Sequence, residues 1–143
     1  MKGFSGIKTL ILGENKITDI GFFTICTSFQ DLCQLFINHN QISDQGIERI
    51  PRLKHLKCLD IRCNNITSEA LKSICQLTEL TDLSLSKNSI TNDNVHLLKA
   101  LSELRYLDIT SNKIAEQGGL AIADIKSLHN LYLSNNQVTA KCV

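Results

Sequence analysis

Residues Leu80 to Glu103 read LTDLSLSKNSITNDNVHLLKALSE, and most of the chain repeats their pattern. The front half has the form LxxLxLxxNxI, carried by Leu80, Leu83, Leu85, Asn88 and Ile90. In the back half Val95, Leu98 and Leu101 recur at the three-to-four residue spacing of a helix face. A shift of 24 residues returns the pattern as Leu104, Leu107, Ile109, Asn112 and Ile114, followed by Gly119, Ile122 and Ile125. The same shift backwards gives Leu56, Leu59, Ile61, Asn64, Ile66, Leu71, Ile74 and Leu77.

Two further units lie before these and one after. The first runs Ile7, Leu10, Leu12, Asn15, Ile17, Phe22, Ile25 and carries one extra residue near Thr27 to Asp31, where a loop absorbs it. The second runs Leu32, Leu35, Ile37, Asn40, Ile42, Ile47, Ile50, Leu53; Pro51 disfavours helix at Ile50 and predicts an early stop. The sixth holds Leu128, Leu131, Leu133, Asn136 and Val138. Units starting near 7, 32, 56, 80, 104 and 128 predict a single repeat domain over residues 1–143. Residues two apart on a strand share a face, so each LxL pair points inward and the residues around it point outward. One unit cannot bury its apolar face alone; stacking parallel strands side by side completes it.

The Asn column (Asn15, Asn40, Asn64, Asn88, Asn112, Asn136) has no exception in six units. An amide both donates and accepts, so the column predicts a structural ladder that satisfies backbone groups where the chain leaves each strand. After each Ile comes a polar pair of N-cap type, Thr18-Asp19, Ser43-Asp44, Thr67-Ser68 and Thr91-Asn92. Helices of two to three turns on the convex side are expected to follow. The fifth unit has Ala115-Glu116 instead, and Gly118-Gly119 inside its helix predict a weak spot.

The totals exclude several function classes. A net charge of +1 with interspersed signs gives no field for nucleic acid or membrane surface. With no Trp and 5% aromatics there is no stacking platform for single strands. The chain shows neither a secretory leader nor an apolar run of membrane-spanning length, and its six cysteines are scattered through the units. That distribution predicts reduced thiols in a cytoplasmic setting. The sequon Asn65-Ile66-Thr67 falls out of the repeat itself.

The LxxLxLxxNxI signature, followed by T/S-D-x-G/A and a helix, resembles the leucine-rich repeat superfamily from Ile7 to Val138. With 24-residue units and the segments ITDIG, ISDQG and IAEQG, it is similar to short repeats of the ribonuclease inhibitor-like and GALA kinds. The resemblance implies an α/β fold: a right-handed horseshoe solenoid with a parallel concave sheet and short convex helices. It also implies a protein or peptide partner held on that sheet. Related short repeats occur in pathogen effectors, so a repeat region acting on a host protein in the host cytosol is the alternative function. The family motif brings no catalytic residue, and no enzyme activity or cofactor is expected.

The outward positions are left free for a ligand. Ile11 and Phe36 give an apolar patch, Asp60, Asp82 and Asp108 an acidic middle, Arg62 a cation, and Tyr106 with Tyr132 aromatic anchors at the far end. This pattern predicts a partner with apolar and basic groups. The position before each ladder Asn reads Glu14, His39, Cys63, Lys87, Ser111, Asn135. Its carboxylate, imidazole and thiol raise a thiol enzyme using Cys63 and His39, or a sparse metal site, as an alternative. Against it stand a flat rim without a pocket, no oxyanion donors and too few ligands for a tetrahedral metal. The basic run Arg49, Arg52, Lys54, His55, Lys57 sits where the second helix ends, and cations there answer the helix dipole. Since neither end has a polar capping unit, the ends are expected to be covered by more chain, a partner or self-association.

Overall fold

The computed structural model describes residues 6–139. Six three-residue strands, β1 (Thr9–Ile11), β2 (Gln34–Phe36), β3 (Cys58–Asp60), β4 (Asp82–Ser84), β5 (Tyr106–Asp108) and β6 (Asn130–Tyr132), form one parallel sheet in chain order. Leu10, Leu35, Leu59, Leu83, Leu107 and Leu131 are in register across it. Thr9 pairs with Gln34, 25 residues on, whereas Gln34 pairs with Cys58 at the 24-residue spacing. The extra residue of the first unit is therefore absorbed in the crossover, and the register is untouched.

The inward Leu and Ile of LxL, the Ile after the ladder Asn and the crossover aliphatics merge into one core, from Phe22 to Ile125. At roughly 1.5–3 kcal/mol for each fully buried aliphatic side chain, this column is what stabilises the stack.

The crossovers depart from the predicted two to three turns. Only α1 (Asp19–Ser28) and α4 (Glu116–Ala123) are that long; α2 (Asp44–Ile47) and α3 (Leu71–Ile74) are single turns. Short 3₁₀ segments at Ile50–Arg52, Ser68–Ala70 and Val95–Ala100 complete the second, third and fourth crossovers. A 24-residue unit leaves little chain for the return path, and the tighter helix spans it in fewer residues. Pro51 lies in the first of these segments, beyond the end of α2.

The Asn ladder bonds each unit to the one before it. The Asn40 side-chain oxygen accepts from the Ile17 N–H, and its NH₂ donates to the carbonyls of Leu12, Ile37 and Asn38. Asn64, Asn88, Asn112 and Asn136 repeat this with Ile42, Ile66, Ile90 and Ile114. Asn15 donates only within its own turn, to Leu12 and Gly13.

A second ladder, read from sequence as helix caps, runs along the crossover side. The Asp19 carboxylate accepts from both the N–H and the hydroxyl of Ser43 in the next unit, at 2.7 and 2.6 Å. Asp44 binds Thr67 in the same way, Ser68 Oγ accepts from Thr91 N–H, and Asn92 Oδ1 accepts from Ala115 N–H. Capping of the unit's own helix is confined to weaker 3.3 Å contacts, as at Ser43 and Thr67; Thr18 makes none.

This ladder corrects the reading of the glycines. A Cβ on Gly118 would stand 2.6 Å from Asn92 Oδ1, to which the Gly118 N–H donates, and one on Gly46 would stand 2.5 Å from Asp19 Oδ1. These glycines make room for the neighbouring unit's acceptor. The helix that contains Gly118 and Gly119 is the second longest of the four among the described residues, and Gly118 sits in a tightly packed seam.

Candidate functional site

Strand alternation divides the sheet residues as elementary geometry requires: the middle residue of each of the first five strands turns toward the crossovers and its two neighbours turn to the opposite, uncovered face. On that open face the side chains are not constrained by the core. Ile11 is 72% exposed at one end and Tyr132 48% at the other, where Leu131, in the last described strand, is itself 39% exposed. Phe36 and Tyr106 are half-buried. Tyr106 and Tyr132 pack ring on ring, centroids 5.4 Å apart and tilted by 44°. Burial, reinforced by the Asp108 carboxylate, pushes the Tyr106 phenol above its ordinary pKa.

The acidic middle is less acidic than expected. Asp60 is only 7% exposed and is held by Arg62, whose Nε and Nη2 donate to its two oxygens at 3.0 and 2.8 Å. The Arg62 backbone N–H adds a third bond. Asp60 is thus neutralised, and Arg62 is committed to it. A bidentate guanidinium–carboxylate pair fixes both groups, and the bond to Asp60 raises the Arg62 pKa. Asp108 accepts from the Ser84 hydroxyl and the Thr110 N–H. Asp82 is exposed, with the Thr81 hydroxyl 2.6 Å from one oxygen.

Between Phe36 and Tyr106 these strands leave an open hollow of about 200 Å³, floored by Leu59 and Leu83 and edged by Asp60, Arg62 and Asp82. Cys58 lies in its wall, its thiol pushed up to about 11 by burial and by the nearby Asp82 and Asp60. A thiol held protonated in this way is a weak nucleophile at neutral pH.

The row Glu14, His39, Cys63, Lys87, Ser111, Asn135 has a backbone explanation. All six lie in the left-handed region, φ between 52 and 58°. The N–H of each of the first five donates to a carbonyl of the next unit, as Cys63 does to Ser86 at 3.0 Å. His39 Nδ1 is 3.1 Å from the Asn38 side-chain amide. Among the described residues no three His, Cys, Asp or Glu side chains gather as ligands for a metal ion. Repeat geometry accounts for the row that the alternative reading offered as a thiol pair or a sparse metal site.

Sequence reasoning missed one apolar patch, on the crossover side: Ile20 is 81% exposed and Phe23 lies 5.6 Å beneath the Arg49 guanidinium. Ile20 and Phe23, three residues apart and so on one helix face, beside the buried Phe22 and Ile25, are the signal for it. No helix among the described residues is long and apolar enough to cross a membrane.

Comparison with known proteins agrees with this geometry. The fold is that of an internalin from Listeria monocytogenes (TM-score 0.74, 25% identity), matched over 93% of this chain and 43% of the internalin chain. It is also that of the Arabidopsis receptor kinase HAESA, solved with the peptide hormone IDA and the co-receptor SERK1 (TM-score 0.72, 18% identity, 92% of this chain and 22% of HAESA). The plant peptide hormone receptor RGFR1, in complex with RGF2, gives a TM-score of 0.67 at 21% identity, over 92% of this chain and 21% of the receptor. The chain therefore spans less than half of each of these proteins. No curated protein matches the sequence. Models of the leucine rich repeat match residues 78–138 and 52–75, together more than half of the chain. With the six-stranded stack, its Asn ladder and these matches in agreement, the chain belongs to the leucine-rich repeat superfamily.

Proposed function

We propose that the protein is a non-enzymatic binding scaffold that holds a protein or peptide partner on the concave, uncovered side of its sheet. One observation carries the reading: the ladders and the core use the inward and turn residues, whereas Phe36, Asp82, Tyr106 and Tyr132 stand on the only sheet face the crossovers leave open. Similarity to receptors solved with peptide hormones supports it at the level of the fold. The pathogen-effector alternative uses the same face, because such a repeat region would also act by binding. Five free cysteines among the described residues support a reducing, cytosolic setting.

The test compares wild type with a Phe36→Ala/Tyr106→Ala/Tyr132→Ala variant by quantitative affinity capture, after circular dichroism confirms that the variant is folded. Partners lost by the variant support the reading, and an unchanged set of bound proteins overturns it. A thiol-enzyme role for Cys63 predicts faster alkylation by iodoacetamide near neutral pH than a free thiol shows; an ordinary rate removes it.

A further inference from the structure

We infer that the hollow between Phe36 and Tyr106 receives a lysine or arginine side chain of an extended peptide partner. The inference rests on the concave-face reading and names the group that anchors there. At about 200 Å³ the hollow is smaller than the roughly 300–1,000 Å³ of sites for drug-sized molecules, so it suits one side chain.

Charge selects the occupant. Arg62 is the one basic residue lining the hollow, and Asp60 occupies its guanidinium through two oxygens. Asp60 and Arg62 cancel, and Arg62 also attracts Asp108, which leaves Asp82 at the rim with no ion pair among the described residues. A carboxylate offers about four acceptor positions, and the Thr81 hydroxyl takes one on Asp82. An acidic side chain would meet net negative charge. A purely apolar one would strip water from Asp82 and give nothing back. A basic side chain satisfies both parts of the site: its methylene stem lies along Phe36 and Tyr106, and its charged head reaches Asp82. The ring of Tyr106 adds cation–π attraction.

The experiment titrates ¹⁵N-labelled protein with Nα-acetyl-lysine amide and Nα-acetyl-arginine amide, using the acetyl amides of glutamate and leucine as controls. Saturable shifts of the Asp82, Ser84 and Tyr106 amides with the two basic probes, and none with glutamate, are expected. Asp82→Asn should weaken the response measurably, by up to about fivefold for the loss of one exposed ion pair, while Asp82→Glu retains it. Because Asp82 is exposed, both variants fold, and their spectra verify this. Shifts that persist unchanged in Asp82→Asn, or no response to either basic probe, overturn the inference. If the leucine probe alone shifts these amides, the basic anchor fails and the concave-face reading stands. Shifts confined to the crossover side, around Ile20 and Phe23, overturn both.

Discussion

Lys87 sits at φ 53°, a region that costs a residue with a Cβ about 1–2 kcal/mol. Lys87→Gly should therefore stabilise the protein by up to about 1 kcal/mol after its own entropy cost, and Lys87→Val should destabilise it by about 1 kcal/mol or more. Urea denaturation midpoints check both. Asn112 is buried, accepts from Ile90 and donates to three carbonyls. Truncating it strands several buried backbone groups, so Asn112→Ala is expected to cost at least about 3 kcal/mol. Asn15→Ala, at an exposed side chain serving only its own turn, should cost less than about 1 kcal/mol. If the two variants unfold at the same urea concentration, the ladder is not what locks the units together. The capture of Asp60 by Arg62 was legible in principle: residues two apart in extended chain, here the last residue of β3 and the second beyond it, face the same way, and this pair is a carboxylate and a guanidinium. Counting Asp60 as an open charge overlooked that geometry.

At the scale of elements, the two short crossovers α2 and α3 explain why helix propensity was a poor guide. A single turn draws little stability from its own hydrogen bonds and relies on what it packs against. Seen alone, the polar pair after each Ile carries the meaning of a local cap. Its main partner lies in the next unit, and only the stack reveals that the Asp19 acceptor and Gly46 are one device split between units. Gly46→Ala and Gly118→Ala should each destabilise by about 1–3 kcal/mol, since the added methyl has nowhere to go without displacing Asp19 or Asn92. Thermal melts of the two variants measure this. No loss at either position would show that the seam yields.

For the whole molecule, the buried thiols set an alkaline limit. Burial pushes Cys26 and Cys75 up to about 12 from 9.0, so in the folded state both keep a proton that the unfolded chain releases above pH 9. The stability these thiols contribute is thus fully present below about pH 9 and is lost as pH rises toward 12, with a limiting slope of about 1.4 kcal/mol per pH unit for each thiol. Urea midpoints from pH 8 to 11 should show the decline, and Cys26→Ala/Cys75→Ala should make it shallower, leaving the share that the raised Cys58 thiol supplies. The architecture was readable because one pattern written six times cannot be mistaken for chance. The site was only partly readable, because the repeat says where a side chain points but not which neighbour takes it. The seams also set a rule for lengthening the molecule. Each of the first four joints is a two-way clasp, with an amide oxygen reaching back and a carboxylate, hydroxyl or amide reaching forward, so a unit carrying both halves can fit behind another. A tandem copy of residues 56–79 would bring its own clasps, and the solenoid could grow by one rung without a new kind of joint.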